Sequence, residues 1–273
     1  DGGGAWAGLD AAFSSGAVTR NRALNAAGGL YVFRTLTLTG TQILSNTAVN
    51  GPGGGVYAGD TAALTGGSFV SNTAYGRGGG AWSHTLRISG TQFLTNTSRH
   101  DGGGGAFTWY AALTGGAFSG NTAAGAGGGL QAGDVSFIIN TTLDVTGTQF
   151  ISNSAAGGNG GGALLACNSS AICGASFTDV TFGRNTASNG GGGLYVEQTA
   201  SLPISNTHFI SNTAQNGKGG GGWANYSNAT LTGSEFEGNA AKLDGGGIYV
   251  MYAMTATDTV FINNASQANG GGA

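Results

Sequence analysis

The sequence predicts an all-β chain, a right-handed parallel β-helix: a solenoid of about ten three-strand coils with uncapped ends. Three observations predict it. A glycine block recurs about every 25 to 27 residues, the apolar positions that follow alternate with a period of two, and Phe-x-x-Asn closes each copy.

The blocks open at Gly2, Gly28, Gly53, Gly78, Gly102, Gly127, Gly160, Gly190, Gly219, Gly245 and Gly270. After each comes a first strand, as in Leu30-Tyr31-Val32, and then a second, as in Leu36-x-Leu38 or Leu143-x-Val145. A Thr-Gly, Ser-Gly or Gly-Gly pair turns the chain, because glycine reaches φ > 0 without steric cost. A third strand carries Val18, Ile43, Phe69, Phe93, Phe118, Phe150, Phe182, Phe209, Phe236 or Phe261 toward the core. Three residues later stands Asn21, Asn46, Asn72, Asn96, Asn121, Asn153, Asn185, Asn212, Asn239 or Asn264. Strands this short are stable only when each coil pairs with its neighbours, at about 4.8 Å per coil, so ten coils stack to roughly 48 Å. The crossover preference of parallel strands makes the solenoid right-handed. The register never breaks, which predicts a single domain over residues 1–273.

Composition narrows the classes. With 57 glycines in 273 residues, only 8% charged and 40% hydrophobic, the chain has enough apolar surface to avoid disorder. Glycine does not fall at every third position, which excludes collagen. A net charge of -3 and scattered basic residues argue against nucleic acid. No apolar run reaches the ~18 residues that would span a bilayer. The ends, Asp1-Gly-Gly-Gly and Asn269-Gly-Gly-Gly-Ala273, fall in nearly the same phase, so we expect a segment of a longer array or ends that stack on other copies. Cys167 and Cys173, six apart, are expected to form a disulfide in an oxidising compartment. No metal site is expected, since two thiolates lack further ligands and His84, His100 and His208 lie in other repeats. No cofactor motif appears either: the glycine blocks open no helix and carry no P-loop lysine.

Gly245-Gly-Gly-Ile-Tyr249 with Phe261-Ile-Asn-Asn264, and Gly53-Gly-Gly-Val-Tyr57 with Phe69-Val-Ser-Asn72, resemble the repeats of the polymorphic outer-membrane-protein family. The likeness covers the whole chain. It implies a parallel β-helix of bacterial surface and autotransporter passenger proteins, and with it export, adhesion or scaffolding; the third block position departs from the family's alanine, and no autotransporter barrel is in this sequence. A looser likeness to pectate-lyase-like β-helices rests on fold alone.

The asparagine column is read as a structural ladder that satisfies corner backbone groups, and the phenylalanine column as core stacking. Trp6, Tyr31, Tyr57, Trp82, Phe107, Tyr195, Trp223 and Tyr249 recur two residues after the blocks, with Gln131 and Leu164 in the same place, and form a candidate aromatic stripe for sugar rings or a neighbouring solenoid. Coil length grows after the first strand around Gly133–Asn140, Cys167–Cys173 and Gln198–Leu202, which predicts one protruding patch on consecutive coils. Asp10, Asp60, Asp134, Asp144, Asp179 and Asp258 show neither neighbouring sets nor a basic partner, so they read as solvated surface acids and no catalytic residue is assigned. Of the sequons, Asn140, Asn168, Asn225 and Asn228 share one edge and are candidate glycosylation sites; Asn96 and Asn264 also match.

These readings lead to a non-catalytic, extracellular or cell-surface solenoid with a structural or adhesive role. The expected partners are other copies, other cell-surface components or carbohydrate. The alternative is a polysaccharide-binding or polysaccharide-degrading β-helix that uses the insertion loops around residues 133–202.

Overall fold

The computed structural model describes residues 1–171 and 173–273. It is an all-β, right-handed parallel solenoid with three sheets running its length, one of 18 strands and two of 10 among the described residues. The long face carries two strands from most coils, such as Leu30–Val32 and Leu36–Thr39, and in two coils these fuse into single strands, Val56–Thr65 and Ala81–Ser89. The second face holds the phenylalanine strands, for example Gln92–Leu94. The third is made of two-residue strands such as Thr73–Ala74, immediately after the ladder asparagine.

This layout differs from the sequence reading in one respect. The first and second strands share a sheet, and the third side of the triangle is the Thr-Ala pair. A two-residue strand has too few positions to reveal a period of two, so the pattern hid it. What marks it is burial: Ala48, Ala74, Ala123, Ala155, Ala187 and Ala214 all point inward, and in the fourth coil the buried Ser98 takes the same place with its hydroxyl donating to Gly76 O at 2.7 Å.

Glycine is required for two separate reasons. One position per block is left-handed, as at Gly53 (φ 69), Gly78 (φ 69) and Gly103 (φ 70). That position is Ala27 in the second coil, Gly103 in the fifth and Gly191 in the eighth, so the repeats there begin one residue away from Gly28, Gly102 and Gly190. The following two glycines are excluded from bearing a side chain by their neighbours: a Cβ on Gly80 would lie 2.6 Å from the Gly105 oxygen and 3.0 Å from the Phe93 ring. Three short residues in a row therefore let one coil's backbone lie against the next coil, the ladder and the core ring at once.

Inside, the phenylalanines form a column from Phe69 to Phe261 with centroid separations of 4.5 to 5.1 Å and planes within 11°. The long face fills the rest of the core with aliphatics, Leu36, Leu38, Val56, Leu64, Leu86 and Leu143 among them. Beside the rings runs the asparagine ladder, complete from Asn21 to Asn264. Asn121 shows the unit. Its Nδ2 donates to Phe93 O at 2.8 Å and Asn153 Oδ1 at 3.0 Å, while its Oδ1 accepts from the Asn96 N–H at 2.9 Å and from Asn96 Nδ2 at 3.0 Å. Each amide thus satisfies groups on both neighbouring coils in a site that water does not reach.

Replacing Asn121 by alanine removes the acceptor of the buried Asn96 N–H and takes one bond each from Asn96 Nδ2, Phe93 O and Asn153 Oδ1. Asn121→Ala is expected to cost about 3–5 kcal/mol, two or more unsatisfied buried groups' worth, read as a lowered urea midpoint. A cost below about 1 kcal/mol would mean that the ladder is incidental.

Candidate functional site

Backbone registers place the residues of the aromatic file side by side: Trp6, Tyr31, Tyr57, Trp82, Phe107, Gln131, Leu164, Tyr195, Trp223 and Tyr249. Their exposure is uneven. Trp6 is exposed, Tyr31, Tyr57, Trp82, Trp223 and Tyr249 are half-buried, and Phe107 and Tyr195 are buried. From Trp6 to Phe107 the rings lie parallel, within 10°, with Tyr57 and Trp82 only 4.4 Å apart. Their faces are therefore turned to one another and their edges to solvent. A sugar stacking on a ring needs a free face, so this part of the file acts as a second stacking column between coils.

The file breaks at Gln131 and Leu164, which carry no ring. There a cleft of about 310 Å³ opens on the long face, lined by Arg77, His100, Asp101, Asp134, Tyr195 and Glu197 above an apolar floor of Leu164 and Ala166, with the exposed Val135 of the insertion loop at its edge. Its size lies at the small end of ligand pockets. Gly102 and Gly125 keep one wall low; a Cβ on Gly102 would overlap the Gln131 amide oxygen.

Four polar groups of the cleft, Arg77, Asp134, Tyr195 and Glu197, are held from behind. The Arg77 guanidinium pairs with the Asp134 carboxylate and sits 4.7 Å above the centre of the Phe107 ring. Asp134 belongs to the insertion after Gly133, so this loop reaches back across two coils to Arg77. Its other oxygen accepts from the Ser136 N–H at 2.8 Å. The sequence reading of Asp134 as a solvated acid without a basic partner is therefore corrected: its side chain is 11% exposed and ion-paired. Of the other acids in that reading, Asp10, Asp144 and Asp258 are exposed, Asp60 is exposed but has a basic partner after all, with Arg34 Nε 3.6 Å away, and Asp179 takes the left-handed turn position that glycine fills in most coils.

Glu197 and Tyr195 lie two apart on the strand Leu194–Glu197. Asn225, on the next coil, donates to the Tyr195 hydroxyl at 3.1 Å and to Glu197 Oε1 at 3.3 Å. Burial raises the Glu197 carboxyl above its ordinary range against the opposing pull of Asn225 and Tyr195. The Tyr195 phenol is likewise raised, first by burial and then by the Glu197 charge. His100 stacks on Tyr75 and stands 3.8 Å from Asp101 at the open rim. Arg77, Asp101 and Glu197 were not singled out by sequence reasoning, and His100 was weighed only as a metal ligand; the signal that could have found them is the gap of two ringless residues in an otherwise aromatic file.

The predicted insertions do meet. Asn168 Nδ2 donates to Val135 O at 2.7 Å, and Cys173 bridges to Thr199. Cys167 and Cys173 form the expected disulfide, with Cα atoms 6.4 Å apart. Between them Ile172 lies outside the described residues. The candidate glycosylation sites differ in their ties: Asn225 is engaged as above, Asn228 Nδ2 donates to Ala200 O at 3.2 Å, and Asn140 and Asn168 lie on the loops. The Asn96 and Asn264 sequons sit in the ladder, where Asn96 Nδ2 has both hydrogens donated to protein. Among the described residues no cluster of His, Cys, Asp and Glu is arranged to hold a metal ion, and no helix is long and apolar enough to cross a membrane.

Comparison of the chain with protein-family models, with curated proteins and with solved structures finds no match.

A carboxyl raised above its unfolded value, 4.5 for Glu197, weakens folding as pH climbs: the cost is absent below that value and complete once the folded-state value is passed. Glu197→Gln should therefore gain stability relative to the parent chain as pH rises from 4.5 toward neutrality. Urea midpoints across that window check this, and a pH-independent difference between the two proteins would contradict it.

Proposed function

We propose that the chain is a secreted or surface-attached, non-enzymatic adhesive solenoid that holds a neutral carbohydrate in the cleft over Gln131 and Leu164. The observation that carries this reading is the composition of the cleft. Arg77 and Asp134 neutralise each other, so the site offers no surplus positive charge for a phosphate, a sulfate or a polyuronate. What remains is an apolar floor with hydroxyl, amide, carboxyl and imidazole groups at its edges. A sugar ring has the same division, with C–H groups on its faces and hydroxyls around its rim. The supports are fixed from neighbouring coils, so little ordering entropy is lost on binding.

Export agrees with the disulfide, which persists in oxidising compartments. The repeats resemble those of exported surface proteins of the polymorphic outer-membrane-protein type, and a rod built of stacked coils suits display of a site away from a surface. Self-association through the low-charge faces remains part of the proposal.

A second reading, a glycoside hydrolase, is favoured by one observation. The raised Glu197 carboxyl shares the cleft with Asp101 and Asp134, and glycosidases use an acid with a raised pKa beside an ionised one.

A panel of immobilised neutral and acidic oligosaccharides separates the readings. The parent chain should retain neutral glycans and release no product, while Glu197→Gln and Arg77→Ala should weaken retention about tenfold, the loss of one charged hydrogen bond. Release of reducing ends, abolished by Glu197→Gln, would establish the hydrolase. Failure to retain any neutral glycan would reject both.

A further inference from the structure

The second half of the long face carries an outward file that the cleft does not touch. Registers of the paired strands align it from Ser14 through Thr39, Thr65, Ser89, Thr114 and Thr146 to Thr257, one residue per coil. Every member is serine or threonine. All are exposed except Thr178 and Ser205, which are half-buried.

The corner does not explain this uniformity. The residue that ties the corner together is two positions further on: Thr41, Thr91, Thr148 and Thr207 are buried, and their Oγ1 atoms donate to corner carbonyls, as from Thr91 to Gly66 O at 2.9 Å. The hydroxyls of the outward file take no part in such bonds among the described residues. An exposed strand position of this kind accepts Lys, Glu or Arg equally well, and charged residues there help solubility. Yet ten successive coils place none. The neighbouring outward file is mainly small or hydroxylated too, with Thr37, Ala63, Ala112, Ser176, Thr230 and Thr255; Arg87, Asp144 and Pro203 interrupt it in three coils.

The coil repeat spaces these groups by about 4.8 Å along the axis, and the strand repeat spaces outward positions by about 6.6–6.8 Å across it. Each threonine offers a hydroxyl and a methyl group, held by a backbone paired on both sides. Liquid water has no lattice with which such an array could register, whereas the prism face of hexagonal ice repeats its oxygens at spacings close to both of these. Weak contacts then add along the file, as in multivalent binding. We propose that this face adsorbs to ice, with the Ser14-to-Thr257 file as its spine.

The test is thermal hysteresis and inhibition of ice recrystallisation by the whole chain. The parent protein should open a gap between melting and freezing that grows with concentration. Thr65→Lys with Thr114→Lys should abolish it, because these two charges stand on the spine itself, whereas the native Arg87 and Asp144 lie in the file beside it. Gln92→Lys with Gln149→Lys, exposed positions on the phenylalanine face, should leave it unchanged. Circular dichroism and urea midpoints confirm that both double variants are folded. The proposal is overturned if the parent chain has no effect on ice, or if the two double variants behave alike. It is also overturned if the Thr65/Thr114 variant loses retention of neutral glycans, which would assign the file to carbohydrate; loss of glycan retention in Glu197→Gln bears on the cleft alone.

Discussion

The structure depends on the side-chain amide of one asparagine per coil. Its amide spans from the coil below to the coil above, receiving a backbone N–H on one side and donating to a carboxamide on the other. No coil can satisfy its own corner. Hydrogen bonds of this kind gain strength in a dry interior and are expensive to leave unmade there, so the ladder fixes the register in which coils stack as well as stabilising them. The glycine pair that follows the left-handed position serves the same end, since any Cβ there would strike the next coil's backbone and push the ladder open.

Once register is fixed, a residue type that recurs in sequence becomes a column in space. The phenylalanines stack inside, Trp6, Tyr31, Tyr57 and Trp82 stack outside while Tyr195, Trp223 and Tyr249 meet edge to face, and the outward threonines form a row. Function in such a molecule follows from two circumstances. A column kept pure over many coils presents a lattice, and a column that changes composition presents a hole. The cleft is the second kind: where Gln131 and Leu164 replace rings, the volume of two aromatics is missing, and the insertion carrying Asp134 folds over the gap to reach Arg77. At the far end of the same file the column stays filled. There Lys218 sits 3.9 Å above the Tyr249 ring and pairs with Asp244 at 3.0 Å, and bonds to Tyr249 and Asp244 raise its pKa.

Most of the fold was legible in the sequence because a solenoid repeats its instructions. The period gave the coils, Phe-x-x-Asn gave the column and the ladder, and the insertions after the first strand fell where expected. Two features were not legible. The Thr-Ala strand is too short to carry a period, and only its inward methyl group distinguishes it from a loop. The orientation of the aromatic rings was open as well, because alternation says which side a residue takes and not how its plane is tilted; stacking at 4.4 Å between Tyr57 and Trp82 leaves their faces engaged. The cleft was half legible. Its lining comes from coils as far apart as Arg77 and Glu197, and no local motif joins them. The pair of ringless residues in the file marks the place, while the chemistry emerges only when Asp134 and Asn225 are seen behind it.

The ladder can be tested most directly by native-state hydrogen exchange resolved to single amides. The account predicts that the backbone N–H groups of Asn46, Asn72, Asn96, Asn121, Asn153, Asn185 and Asn212, each donating to the next asparagine's Oδ1, exchange only through global unfolding, as slowly as the phenylalanine strands. Exchange of these seven amides at the rates of the exposed loop around Val135 would contradict it.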